Sequence, residues 1–196
     1  AAGFVSAPIY SSVSGTVLKV DNAIDASGYM RPAVVISVEG DEWEESIDRS
    51  TKLETLESHP ELTPEEIVER IKKAGVVGMG GACFPTFIKL CPPPTAKAEC
   101  VIINGVECEP YITSDYRLMI EKADELIEGV KILMKGAKVD KGYIGIEDNK
   151  PAAIKLLAEK LAGNPNIVVV PLAKKYPQYI FLQGPQCPAA SLTDCL

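Results

Sequence analysis

The sequence is short of the residues on which several common classes of protein depend. It contains one histidine and one tryptophan, and acidic residues outnumber basic ones by 27 to 20 among 196 residues. The resulting net charge of −7 repels nucleic acid, and no basic stripe offsets it. No apolar run approaches the ~20 residues that a membrane-spanning helix needs. We therefore expect no nucleic-acid partner, and we expect any role at a membrane to depend on docking to another protein.

Cysteine and histidine, two common metal ligands, form no recognisable cluster along the chain. None of the six cysteines belongs to a Cys-x-x-Cys pair, the spacing typical of zinc ribbons and many iron–sulfur sites. The sequence thus predicts no metal site, and it favours free thiols in a reducing compartment over a disulfide framework. A catalytic triad or a Cys-His pair would depend on His59 alone, for which an exposed loop position is the simpler interpretation.

Residues 1–50 have the pattern of a small β-rich segment. Apolar and polar side chains alternate over residues 4–20 around a Ser14-Gly15 turn signal, and residues 33–40 form a second apolar stretch. This pattern predicts short antiparallel strands. Hydrophobic residues make up 46% of the whole chain, which excludes global disorder.

Residues 51–178 alternate helix and strand signals. A first helix begins with a capping box at Thr63 and Glu66 and ends at Gly75. Apolar strand patterns then alternate with amphipathic helices. The strand patterns cover residues 99–107, 142–147 and 166–172, and the helices cover 117–135 and 149–163. This order predicts a Rossmann-like three-layer βαβαβ domain with a parallel sheet, followed by an unmatched tail over residues 179–196.

Four glycines stand close together in the stretch GVVGMGGACFPTFIKL, residues 75–90. Glycine inside a regular element costs roughly 0.5–1 kcal/mol relative to alanine, so the cluster predicts a loop whose backbone something approaches closely. Successive glycine amides can converge on an anion, and Lys89 follows as a potential cation. The stretch lacks the Gly-Lys-Ser/Thr ending of a Walker loop, and no clear strand precedes it. A site for a phosphate or a flat ring and a plain structural turn are both open interpretations.

Polar residues follow the first buried-strand pattern in the stretch INGVECEPYITSDYR. Asn104 ends the predicted parallel strand, where open α/β sheets bind ligands, and its amide can read a ring edge. Glu107 and Glu109 follow at alternating positions, so an extended loop would point them the same way. They are candidates for an acid/base couple, for metal ligands, or for a solvated acidic loop.

The two stretches together closely resemble the C subunit of the Rnf electron-transport complex and, more distantly, the flavin-bearing subunit of respiratory complex I. The motifs Gly-x-Gly-Gly-Ala-x-Phe-Pro-Thr and Asn-x-x-Glu-x-Glu-Pro are present in that order over residues 78–86 and 104–110. The similarity runs from about Phe4 to Gln178, and the stretch SAPIYSSVSGTV resembles the family's barrel-sandwich segment. Val106 stands where the complex I pattern has Asp, which favours the Rnf-like branch.

The resemblance implies that residues 51–178 bind FMN and NAD(H), with hydride transfer between them. The glycines would form a backbone cradle for the flavin and the nicotinamide nucleotide, and the phenylalanine would lie near a nucleotide base or ring. The lysine would lie near the flavin, and the asparagine and glutamates would line the isoalloxazine and nicotinamide end. The implied cofactor-binding residues are Gly78, Gly80, Gly81, Phe84, Lys89, Asn104 and Glu107, and the implied catalytic residues are Glu107 and Glu109.

The resemblance also implies a larger assembly, an ion-translocating ferredoxin–NAD oxidoreductase on the cytoplasmic face of the cell membrane. The chain would be a fragment of its NADH/FMN-binding subunit, with the 4Fe-4S clusters in a missing C-terminal part. Its partners would be the other subunits and, indirectly, ferredoxin. The alternatives are a related flavoprotein reductase such as a cobalamin reductase, a lipoyl or biotinyl carrier, and a non-catalytic docking module. A carrier is disfavoured because its candidate turn, DNAIDASG, has no lysine.

Overall fold

The structure is a computed structural model of the chain, and it describes residues 3, 5–45, 47–79, 83–93, 95–174 and, for the backbone, 189–191. The strands are β1 (Gly15–Ile24), β2 (Met30–Val38), β3 (Val101–Gly105), β4 (Gly142–Glu147), β5 (Ile167–Leu172) and β6 (Ala189–Ser191). The α-helices are α1 (Pro64–Ala74), α2 (Thr86–Lys89), α3 (Ser114–Glu121), α4 (Ala123–Ala137) and α5 (Pro151–Lys160). Among the described helices, none combines the length and the apolar character that crossing a bilayer requires.

The chain divides into two compact units, and the smaller one, Ile9–Lys52, contains an antiparallel ribbon of β1 and β2. The predicted antiparallel strands are thus confirmed, but the predicted turn at Ser14-Gly15 is wrong because Gly15 lies in β1. A Cβ at Gly15 would lie 1.9 Å from the carbonyl oxygen of Ser37, so the close approach of the strands requires glycine there. The ribbon reverses over residues 25–29 instead, where the Asp25 carboxylate accepts a hydrogen bond from the Tyr29 amide at 3.1 Å. The barrel-sandwich assignment stays a prediction.

The larger unit, Ala1–Pro8 with Leu53–Leu196, contains a parallel sheet in the order β5-β4-β3-β6. Each adjacent pair of strands in this sheet is parallel. β4 matches the strand predicted over 142–147, and β3 and β5 lie inside their predicted ranges. β6 comes from the tail that matched no pattern, and it pairs with β3. The mixed α/β class with a parallel sheet is confirmed, and the three-layer Rossmann-like arrangement stays a prediction.

The predicted first helix has the expected signals at both ends. The Thr63 hydroxyl accepts the Glu66 amide at 3.2 Å, and the Glu66 carboxylate accepts the Thr63 amide at 2.8 Å. Gly75 closes α1 in the left-handed region, at φ +70°. A side chain there would be strained, and a Cβ would lie 2.5 Å from the carbonyl oxygen of Pro8. The residues that flank α1 therefore specify its ends locally.

The single helix predicted over 117–135 is wrong, because two helices occupy this region. Lys122, at φ −126° and ψ 34°, separates α3 from α4. Met119 before the break and Leu126 after it are both almost completely buried. Apolar side chains are thus buried both before and after the break, so the spacing of apolar residues did not indicate it.

The core of the larger unit lies where α4 and α5 cover the sheet. Ile103 and Ile144 from the strands are fully buried together with Val130 of α4 and Leu157 of α5. The fit is close at Gly142, where a Cβ would lie 2.8 Å from the Met134 sulfur. Glycine at the start of β4 therefore allows the helix to pack directly on the strand.

One charged residue, Glu128 of α4, is buried away from the carboxyl end of the sheet, with an exposure of 4%. Its carboxylate accepts a hydrogen bond from the Leu56 amide and pairs with Lys131 at 3.1 Å. Both of its oxygens therefore have partners, and the contact ties the 3₁₀ turn at Leu56–Ser58 to α4. Buried carboxylates are tolerated when they are satisfied in this way.

We expect Glu128→Ala to lower the free energy of unfolding by about 2–4 kcal/mol, because the Leu56 amide and Lys131 would lose their shared acceptor. Urea denaturation followed by circular dichroism measures the change. The matched control is Glu125→Ala on the same helix, whose ion pair with Lys122 is at the surface and should contribute about 0–1 kcal/mol. Equal losses for the two variants would contradict this account.

Candidate functional site

The candidate site lies at the carboxyl ends of β3 and β4. The two strands end side by side, with Gly105 paired to Ile146. Asn104, Glu107 and Glu147 are buried polar residues at or just beyond these strand ends. Ligands of open α/β sheets bind at this edge. The fold thus brings two predicted site residues together with a third that the sequence analysis missed.

Asn104 has one satisfied and one unsatisfied polar atom. Its side-chain oxygen accepts the Val106 amide at 3.1 Å, an assignment that leaves the amide nitrogen Nδ2 to face elsewhere. Nδ2 is buried and has no hydrogen-bond partner among the residues that the structure describes. A buried donor left unpaired costs about 1–3 kcal/mol. Asn104 therefore presents a donor that a ligand acceptor would satisfy.

Glu147, the last residue of β4, complements Asn104 as an acceptor. Its side chain is fully buried; Oε2 accepts a weak bond from Asn149 Nδ2 at 3.4 Å, and Oε1 has no hydrogen-bond partner within the described part of the chain. In the sequence, Glu147 was only the last residue of a predicted strand. A carboxylate that closes an otherwise apolar strand was the available signal. Asn149 was predicted to cap the next helix, and this is wrong because the structure places the N-cap at Lys150.

Glu107 is held from two sides by contacts to neighbouring elements. Its Oε1 accepts the backbone amide of Asp115 at 2.9 Å, and its Oε2 pairs with Lys150 Nζ at 3.1 Å. The Glu107 side chain is 1% exposed and that of Lys150 is 17% exposed. Glu107 is buried and Glu109 is exposed, so the prediction that an extended loop points the two glutamates the same way is wrong. The turn after β3 buries one carboxylate and leaves the other in solvent.

Asp115 is the residue of this cluster with the most perturbed acidity. Burial of its carboxyl group, followed by repulsion from Glu107 and Glu109, raises its pKa to about 6, and Lys150 partly opposes the shift. Its carboxyl group therefore changes protonation close to neutral pH. A proton can be held or released there without a histidine.

The glycine-rich stretch forms a loop closed at its base. The Gly78 amide donates to the Phe84 carbonyl at 3.0 Å, and Val77 bridges to Pro85. Gly78 is buried, and Phe84 is 39% exposed. The two described ends of the predicted loop thus pair with each other.

The remaining predicted residues of this stretch lie around the loop. Lys89 lies half-buried at the end of α2. Gly80 and Gly81 lie outside the described residues, so the predicted backbone cradle stays a prediction.

Replacement of Asp115 by Asn should stabilise the protein more at pH 7.5 than at pH 4. The folded-state pKa of about 6 lies above the ordinary value of 3.8, so protonated Asp115 contributes stability at low pH. That contribution is lost as the pH rises through 6, whereas an asparagine stays neutral. The measurement is the difference in Tm between variant and wild type across this range. Asp140→Asn, at an exposed position, is the control, and a pH-independent difference for Asp115→Asn would contradict the assignment.

Comparison with known proteins relates the chain to one family. The family model of the Nuo51 FMN-binding domain matches residues 71–179. The C subunit of the proton-translocating ferredoxin:NAD(+) oxidoreductase complex of Clostridium ljungdahlii is 45% identical, over 89% of this chain and 37% of that protein. The C subunit of the Na(+)-translocating complex of Acetobacterium woodii is 44% identical, over 90% of this chain and 39% of that protein.

One further curated relative and one solved structure match the chain at lower identity. The C subunit of the ion-translocating oxidoreductase complex of Haemophilus influenzae is 40% identical, over 87% of this chain and 25% of that protein. The crystal structure of an NAD+-reducing nickel–iron hydrogenase in the air-oxidized state matches at 20% identity and a TM-score of 0.49. The match covers 67% of this chain and 29% of the hydrogenase chain. The chain spans less than half the length of the curated relatives it matches. The resemblance is confirmed, and the chain belongs to the family of C subunits of Rnf-type ion-translocating ferredoxin:NAD(+) oxidoreductases, within the Nuo51 FMN-binding domain.

Proposed function

We propose that the chain is the FMN- and NAD(H)-binding part of an Rnf-type C subunit, and that hydride passes there between NAD(H) and FMN. The observation that carries the proposal is the pair of buried, unpartnered polar atoms, Asn104 Nδ2 and Glu147 Oε1, at adjacent strand ends. Membership of a family with an FMN-binding domain supports the choice of ligand.

The chemistry of these two atoms fits a flavin. The pyrimidine edge of an isoalloxazine ring carries carbonyl oxygens, which accept hydrogen bonds, and a ring N–H, which donates one. Asn104 Nδ2 supplies a donor and Glu147 Oε1 an acceptor, and neither is satisfied by a residue that the structure describes. A ligand of this kind would remove two desolvation penalties at once. Asn104 and Glu147 would therefore hold the ring edge.

Other residues of the chain would position the reactants and handle the proton. When bound, FMN would accept one hydride, which carries two electrons, and pass the electrons on singly. Glu107 is fixed by the Asp115 amide and Lys150, so its carboxylate keeps one orientation during binding. The Asp115 carboxyl group can hold a proton near pH 6. The glycine loop, with Phe84 beside it and Lys89 after it, would leave room for the nucleotides.

The rest of the assembly belongs to the same proposal. Its partners would be the other subunits of the complex and, indirectly, ferredoxin, at the cytoplasmic face of the membrane. The iron–sulfur clusters would lie in parts of the whole protein outside this chain. A non-catalytic docking module is the alternative, and it would be favoured if full-length protein failed to bind FMN.

In full-length protein, Asn104→Asp should weaken FMN binding by about tenfold or more. Aspartate keeps the oxygen that accepts the Val106 amide but replaces the unpaired donor by an acceptor. Quenching of flavin fluorescence on titration gives the Kd. Asn166→Asp, an exposed asparagine at the opposite edge of the sheet, is the matched control. Unchanged FMN affinity in Asn104→Asp would sink the assignment.

Glu107→Gln should slow NADH-driven flavin reduction more than it weakens FMN binding. Glutamine keeps an acceptor for the Asp115 amide but loses the charge opposite Lys150. Stopped-flow absorbance measures the reduction step, and Glu159→Gln on the exposed side of α5 serves as the control. Traces that match those of wild-type protein would count against a role for Glu107 in the reaction.

A further inference from the structure

We propose that Lys150 is a positioning residue of this site, which holds the Glu107 carboxylate in place and compensates its charge beside the bound redox cofactor. The inference rests on the proposed function and goes beyond it, because Lys150 belongs to none of the motifs from which the site was predicted. The inference is based on the position of the Lys150 ammonium group, which lies between the segments that follow β3 and β4.

The Lys150 ammonium group contacts both a carboxylate and an aromatic ring. Nζ lies 3.1 Å from Glu107 Oε2 and 5.1 Å from the centroid of the Tyr116 ring. The ammonium group therefore has a defined position rather than the mobility of a surface lysine. The low exposure of both charged side chains makes this a buried ion pair, unlike the surface pairs elsewhere on α5.

The backbone of Lys150 is fixed in the turn that follows β4. Its amide donates to the Glu147 carbonyl at 3.0 Å, and its own carbonyl accepts the Ile154 amide at 3.2 Å, so it starts α5. Glu107 lies in the connection after β3. The ion pair thus ties the turn that carries Glu147 to the loop that carries Glu107. A displacement of either loop would move both carboxylates relative to the strand ends.

The charges around Lys150 make it the balancing cation of the cluster. Glu107 and Asp115 lie next to it, Glu109 acts on the same aspartate, and the Tyr116 ring packs on the ammonium group. Without Lys150, Glu107 would be a buried carboxylate with no counter-ion, which favours its protonated form. At a pH where Glu107 stayed ionised, its uncompensated charge would oppose the gain of electrons by a nearby flavin.

The test uses full-length protein with Lys150→Gln, Lys150→Arg, Glu107→Gln and the double variant Glu107→Gln/Lys150→Gln. Lys160→Gln is the control, because Lys160 lies on α5 and pairs with Asp124 outside the cluster. The readouts are the midpoint potential of bound FMN and the pH profile of NADH-driven reduction.

We expect Lys150→Gln to move the pH profile of NADH-driven reduction to higher pH by about one unit. It should also lower the potential of bound FMN, because the negative charge of Glu107 is then uncompensated. Glu107→Gln should raise the potential, because Lys150 then lacks its counter-ion. The potential of bound FMN should stay close to that of wild type in Lys150→Arg, which keeps both charges, and in the double variant, which removes both.

The outcomes separate the role of Lys150 from the proposed function. Wild-type protein that binds no FMN would overturn the proposed function, and this inference with it. If wild type binds FMN but Lys150→Gln loses only stability, with potential and pH profile unchanged, the role of Lys150 alone is overturned. If Lys150→Gln does not fold, Glu107→Gln and the double variant decide, and equal potentials in these two would overturn the inference.

Discussion

The parallel pairing of β3 with β4 is the constraint on which the site depends. Because the strands run in the same direction and in register, both end at one edge of the sheet. Asn104 and Glu147 then reach that edge together, although they are far apart along the chain. The pairing in turn requires α4 to cross over the sheet, and Gly142 allows the helix to pack against β4. The geometry of the site therefore follows from the packing of the core.

Three buried glutamates in the described part of this unit differ in whether their carboxylate oxygens have partners. Both oxygens of Glu128 have partners within the protein, and the contact holds one loop on one helix. Both oxygens of Glu107 also have partners, but these come from the elements that border the strand ends. Glu147 keeps one oxygen that has no partner among the described residues. An unsatisfied buried acceptor is costly, so its place at the carboxyl edge of the sheet supports the proposal of a ligand site there.

The accuracy of sequence-based prediction in this chain depended on how local the signals were. The ends of α1 were predictable because Thr63, Glu66 and Gly75 act on their immediate neighbours. β4 was predictable because its residues are largely apolar, as in a strand buried on both faces. The break at Lys122 and the pairing of β6 with β3 were not, because each depends on packing against distant residues.

Local composition was sufficient to predict the alternation of helices and strands and the position of Asn104 near the end of a parallel strand. Family membership followed from two short motifs. The fold alone assigned different surroundings to Glu107 and Glu109, added Glu147 and Lys150, and raised the pKa of Asp115. The physical reason is that burial, ion pairing and desolvation arise between elements that meet only after the sheet has formed.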